Sequence, residues 1–244
     1  MVGQAAGGNM AEQIVSLHAG YDFDGHLVDA YIARPSKAGT HPAVVLISGM
    51  SGLNDFQREI TRTFARAGFV TLSPDLFDGV APGSQSAALL AKNSLDIDRS
   101  VKLLAASTDF LHNLPWVENG SRVGVVGFCL GGGLALLSLG RTDRFDPGVI
   151  YYQSLFPDPA ELEGIDAKLL CHYGTADHST PREEVERFCS TLDGYEKEYE
   201  IGWYEGVGHS FLNPRSDSSA GREQAAADSL ERSFEFLRTA IARP

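Results

Sequence analysis

The sequence predicts an α/β fold, a mostly parallel sheet with helices on both faces. Three observations predict it. Strand-like apolar runs alternate with helix-like segments, the order that builds parallel strands through helical crossovers. The run Ala43-Val44-Val45-Leu46-Ile47-Ser48 is almost continuously apolar, as a strand buried on both faces must be. A glycine-rich segment, residues 122–133, joins another apolar run directly to a helix-like one.

The elements follow in order along the chain. Residues 13–17 and 27–33 read as an opening hairpin around Asp24-Gly25. Residues 43–48 form the first central strand. Residues 53–67 are amphipathic and end at Gly68, a usual helix stop. Residues 69–73 form the next strand, broken by Pro74-Asp75. Residues 76–86 carry Gly79, Pro82 and Gly83 and read as loop. Residues 95–111 are helical, with apolar positions 97, 101, 104, 105 and 108. A strand at 123–126, a helix at 130–139 and a strand at 148–152 come next. Residues 155–166 contain two prolines and read as loop. Strands at 169–173 and 199–203 are followed by helices at 182–192 and 223–241. No repeat, low-complexity stretch or interdomain linker interrupts this order. The expected organisation is a flexible tail over residues 1–12 and a single domain over 13–244.

Composition narrows the function classes. The 244 residues include 32 acidic and 20 basic side chains, a net charge of −12. Nucleic-acid binding needs clustered Lys and Arg, so no nucleic-acid partner is expected. No apolar stretch approaches the ~20 residues that span a bilayer, so no membrane partner is expected either. The first residues carry no apolar signal core, and three cysteines (Cys129, Cys171, Cys189) are too few and too scattered for a disulfide framework or a Cys-based zinc site. A cytoplasmic protein is the expectation. Composition leaves the oligomeric state open.

The segment Gly127-Phe128-Cys129-Leu130-Gly131-Gly132 carries the chemistry. It is G-x-C-x-G between an apolar strand and an apolar helix, a nucleophile elbow with Cys in the Ser position. The turn is so sharp that side chains two residues before and after the nucleophile would collide, and Gly127 and Gly131 remove them. Cys129 is then expected at the N-terminus of the next helix, where the dipole favours a thiolate. The Leu130 amide is placed to donate to an oxyanion, and the loop after the first central strand supplies the second donor at Met50. A buried structural Cys is the bland reading of the same residues. A dinucleotide fingerprint is the weaker rival, because glycines 127, 131, 132 and 133 do not spell G-x-G-x-x-G. Ser51, in the same loop as Met50, lacks the elbow spacing.

A Cys nucleophile needs a base, and the base needs an orienting acid. Asp177 falls on the loop after the strand at 169–173, and His209 on the loop after the last strand. The order nucleophile, acid, histidine is that of an α/β-hydrolase. Asp177 could instead cap a helix, although Ser179 or Thr180 is better placed before Pro181. His178 precedes the last strand, so chain order favours His209 as base.

With these residues in view the sequence resembles the dienelactone hydrolase family. The matching stretches are Gly127-Phe128-Cys129-Leu130-Gly131-Gly132, Gly174-Thr175-Ala176-Asp177, Tyr204 through Phe211, Pro74-Asp75-Leu76-Phe77 and Ala81-Pro82-Gly83. The resemblance implies an α/β-hydrolase fold without a large cap domain, a Cys129–His209–Asp177 triad, cleavage of a small-molecule ester or lactone, and no cofactor. It also exposes departures. The family's Glu beside the nucleophile aligns with Gly49. Its two substrate-binding Arg align with Gly79 and Asn213. Arg215 is the nearby candidate to replace them, against the plainer reading of an exposed surface Arg. Gly49, Ser51, Tyr152, Phe211 and Arg215 are the candidate substrate contacts. The alternatives are a broad carboxylesterase or thioesterase and, in another class, a non-catalytic thiol sensor or binding protein on the same fold.

Overall fold

The computed structural model describes residues 13–79 and 84–242. The expected tail at 1–12 and the Ala81-Pro82-Gly83 motif lie outside them. Eight strands form one sheet in the order β1-β2-β4-β3-β5-β6-β7-β8. β1 (Ile14–Phe23) and β2 (His26–Pro35) make the opening hairpin, and β2 pairs antiparallel with β4 (Val70–Pro74). β3 (Ala43–Ile47), β5 (Val123–Phe128), β6 (Phe145–Tyr151), β7 (Leu169–Gly174) and β8 (Tyr199–Tyr204) complete the sheet in parallel.

Alternation along the central strands feeds two cores. On β3, Val45 and Ile47 join Val125 and Ile150 on one face, packed by Leu104, Leu134 and Val185. These come from α3 (Ile97–His112), α4 (Leu130–Arg141) and α6 (Arg182–Gly194). Val44 and Leu46 join Val126 and Val149 on the other face, beneath Ile60, Phe64, Leu237 and Ile241. Those four belong to α1 (Asp55–Arg66) and α7 (Arg222–Ile241), and each pair sits at the i,i+4 spacing that puts both side chains on one face. The Asn54 side chain starts α1 by accepting from the Gln57 amide at 2.9 Å, and Asp96 starts α3 by accepting from the Arg99 amide at 2.9 Å.

Two helices appear that the sequence did not predict, one from the end of the expected loop 76–86 into unassigned residues and one inside the expected loop 155–166. α2 (Gln85–Asn93) follows the N-cap Ser84, whose Oγ accepts from the Ala87 amide at 3.2 Å. Its Leu89 and Leu90 are exposed, so it lacks the clean apolar stripe that marks a helix in sequence. α5 (Pro159–Leu162) is one turn, begun by a proline at its start. No connection among the described residues inserts a separate domain over the strand ends. No helix among them is long and apolar enough to cross a membrane.

Because β3 and β5 through β8 are parallel, the loops that follow them emerge along one edge of the sheet. That edge is where open α/β sheets build their sites.

Candidate active site

Cys129 sits between β5 and α4 with φ +56° and ψ −116°, a conformation rare for any residue with a side chain. Three backbone hydrogen bonds hold it there. Its N–H donates to Tyr151 O at 3.0 Å, and its carbonyl accepts from Gly132 at 3.1 Å and from Ser154 at 3.0 Å. The flanking glycines are sterically required. A Cβ on Gly127 would lie 2.1 Å from Gly131 O, and one on Gly131 would lie 2.3 Å from Ile47 O. The elbow motif therefore encodes a contact among the elbow, α4 and the end of β3.

His209 and Asp177 reach the same place from the loops after β8 and β7. His209 Nδ1 lies 2.8 Å from Asp177 Oδ2. Asp177 Oδ1 accepts from the amides of Ser179 at 2.7 Å and Thr180 at 3.0 Å. Neither Ser179 nor Thr180 caps α6: the cap position is Pro181, and Thr180 Oγ1 donates to Gln153 O at 3.0 Å. His178 is exposed and points its ring to no hydrogen-bond partner among the described residues.

The electrostatics couple the thiol to the histidine. Burial disfavours the Cys129 thiolate, but hydrogen bonding and charge from His209, the Ser154 hydroxyl and the Leu130 amide outweigh it and hold the thiol pKa below its ordinary value. Burial likewise disfavours protonated His209, yet Asp177 and Cys129 raise its pKa to about 9. Each group favours the charged form of the other, the condition for a resting thiolate–imidazolium pair. Cys171 and Cys189 go the other way, pushed up first by burial.

The sulfur opens on a cavity of about 170 Å³ lined by Gly49, Met50, Ser51, Phe128, Tyr152, His209 and Asn213, among others. Among the described residues the lining includes no Asp, Glu, Lys or Arg. A Cβ on Gly49 would lie 3.2 Å from Cys129 Cβ, so this position does stand against the nucleophile. The Met50 amide takes part in no backbone hydrogen bond among the described residues and remains free to donate. Tyr152 is buried, its hydroxyl has no hydrogen-bond partner among the described residues, and its ring meets that of His209 edge-on at 5.1 Å.

Two of the candidate substrate contacts fall elsewhere. Phe211 is fully buried beneath Tyr152, their rings 5.3 Å apart, and does not line the cavity. Arg215 is exposed, makes no ion pair among the described residues and does not line the cavity. Gly79 lies on the turn after β4 with φ +81°, where its amide donates to Asp75 Oδ2 at 2.6 Å. Among the described residues no cluster of three or more His, Cys, Asp or Glu side chains could hold a metal ion.

Two contributors escape the sequence patterns. Ser154 Oγ lies 3.3 Å from Cys129 Sγ. Asp217 Oδ2 accepts from the Gly208 amide at 2.9 Å and so braces the residue before His209. The signal for Ser154 is strand register: Tyr151 pairs with Phe128, which puts the residues after β6 beside the elbow. No sequence pattern marks Asp217.

The fold and its elbow define an α/β-hydrolase. The family model described as the dienelactone hydrolase family matches residues 28–241, and the chain belongs to that family. The carboxymethylenebutenolidase of Pseudomonas putida is 31% identical over 227 residues, covering 88% of this chain and 92% of that protein. The carboxymethylenebutenolidase of Rhodococcus opacus is 29% identical over 220 residues, covering 85% and 84%. Among solved structures, a provisionally assigned dienelactone hydrolase of Klebsiella pneumoniae superimposes with TM-score 0.85 at 21% identity, covering 93% of this chain and 99% of that one. The protein is thus a hydrolase similar to carboxymethylenebutenolidases over most of its length.

Proposed function

We propose that the protein cleaves an ester or lactone through a thioester acyl-enzyme on Cys129, with His209 as base and Asp177 as the group that orients it. The observation that carries this reading is the convergence of three loops on one sulfur: Cys129 on the elbow, and His209 2.8 Å from the enclosed Asp177. Relatives named carboxymethylenebutenolidase support a lactone or ester as the bond cleaved.

The thiolate attacks the carbonyl carbon, forming a C–S bond while the carbonyl electrons move to oxygen. The Leu130 and Met50 amides donate to that oxyanion. As it collapses the C–O bond breaks, and protonated His209 gives its proton to the leaving oxygen. His209, now neutral, takes a proton from water as the water attacks the thioester, and the sulfur leaves as thiolate. Asp177 holds the ring with Nδ1–H inward and Nε2 toward the reaction. The absence of Arg and Lys from the cavity lining among the described residues supports a substrate uncharged near its acyl group.

Cys129→Ala tests the reading. Hydrolysis of a short p-nitrophenyl ester should fall about 10³-fold or more with the melting temperature nearly unchanged. Wild-type turnover in the variant would reject Cys129 and return attention to Ser51. A thiol sensor on the same fold would show no turnover in the wild type.

A further inference from the structure

The neighbours of the Cys129 sulfur differ in what they offer it. Gly49 stands close, its hypothetical Cβ 3.8 Å from Sγ, but has no side chain to bond with. Ser154, just past β6, places its hydroxyl 3.3 Å from Sγ. The serine is itself anchored, since its N–H donates to the Cys129 carbonyl at 3.0 Å. A backbone bond and a side-chain bond therefore join the same two residues, and the backbone bond fixes the Cα from which the hydroxyl reaches the sulfur.

We propose that Ser154 is a positioning residue for the nucleophile: its hydroxyl donates to the Cys129 thiolate and fixes the sulfur at the cavity beside Gly49. The proposal rests on the reading that Cys129 attacks the substrate. A charged acceptor strengthens a hydrogen bond, so the bond is stronger to the thiolate than to the neutral thiol or to the sulfur of a thioester. It thus acts on the resting enzyme and is relaxed once the acyl group is attached.

The other groups facing the sulfur set the background. His209 approaches from the loop after β8, and Asp177 stands behind it from the loop after β7. Tyr152 lines the cavity from the end of β6, and burial pushes its phenol well above the ordinary value, so it stays neutral. The Leu130 amide opens α4. Among the described residues, Ser154 supplies the hydroxyl bonded to the sulfur, so removing it should act on the thiol while leaving the His209–Asp177 pair intact.

The test is the pH dependence of iodoacetamide alkylation at Cys129, read by peptide mass, in the wild type, Ser154→Ala and Ser154→Thr, with ester hydrolysis followed on the same samples. The alanine variant should move the alkylation midpoint up by about one pH unit, slowing alkylation on the acid side about tenfold. The acid limb of kcat/KM should move with it, while rates well above the midpoint approach the wild type. Threonine keeps the hydroxyl and should restore the wild-type midpoint. An unchanged midpoint in the alanine variant would overturn the proposal, as would an equal loss of activity at every pH. The alkylation readout does not need turnover. A shifted midpoint in a protein that hydrolyses no ester would uphold the Ser154 bond and reject the proposed function instead.

Discussion

Asp177 divides its carboxylate between two tasks: Oδ2 meets His209 Nδ1 at 2.8 Å, and Oδ1 accepts the amides of Ser179 and Thr180. The carboxylate is fully enclosed, with 0% of its side chain exposed. Its loop thus anchors one oxygen so that the other has a fixed direction. The alternative that Asp177 caps a helix does not hold, because the cap position of α6 is Pro181, without a side-chain cap, and the two amides on Oδ1 lie ahead of it.

Asp177→Asn separates the two tasks. An asparagine can keep its oxygen on the two amides, which turns its NH2 toward His209 Nδ1. The ring must then carry its proton on Nε2, where it cannot accept one. Turnover should fall by roughly 10²–10⁴-fold with little change in melting temperature. Asp177→Ala loses the amide bonds as well and should lower stability besides. Full kcat in the asparagine variant would remove Asp177 from the mechanism.

The cavity should prefer uncharged substrates. The cavity lining among the described residues holds no Arg or Lys, Arg215 lies out of the cavity, and the chain carries −12 overall. Burying an unpaired carboxylate costs several kcal/mol, equivalent to roughly a hundredfold or more in kcat/KM. We therefore expect an uncharged lactone or ester of similar size to be a far better substrate than cis- or trans-dienelactone. A clear preference for dienelactone would contradict this, and Arg215→Ala would then show whether that side chain swings in.

Much of this was legible before the fold was known. The elbow was readable because Gly127 and Gly131 answer a local steric demand, and Asp177 and His209 because parallel strands send their following loops to one edge. Gly49 was placed beside the nucleophile by resemblance alone, and a Cβ built on it would lie 3.2 Å from Cys129 Cβ. What escaped depends on tertiary register or on weak local signals. Ser154 meets Cys129 only because β6 pairs with β5, and Phe211 faces the aromatic core instead of the substrate because Tyr152 covers it. α2 hid behind the exposed Leu89 and Leu90, which blur its periodicity.

Stability should fall in mild acid because of His172, which lies on β7 far from solvent. Its Nδ1 accepts from Tyr204 OH at 3.0 Å and its Nε2 donates to Ser233 Oγ at 3.0 Å, so the neutral ring has both partners. Burial, aided by the charge of Arg232, pushes its pKa down to about 3. The unfolded chain takes up this proton below about pH 6.5 and the folded protein does not, so unfolding becomes easier as pH falls from about 6.5 toward 3. His209 acts at the other end: its raised pKa stabilises the fold below about 6.5, and that contribution is lost as pH rises through about 9. Urea unfolding at a series of pH values checks this. His172→Gln should lower stability near pH 7 yet flatten the acid slope by up to about 1.4 kcal/mol per pH unit. An unchanged slope would mean that His172 does not set it.

The acyl-enzyme is the most direct test of the central claim. The wild type is mixed with p-nitrophenyl acetate, quenched in acid within the first turnovers, digested and read by peptide mass. The account predicts one acetyl group on the peptide that contains Cys129, labile to hydroxylamine as a thioester must be, and absent from Cys129→Ala. Acetyl on Ser51, or active turnover with Cys129 unmodified and dispensable, would contradict it.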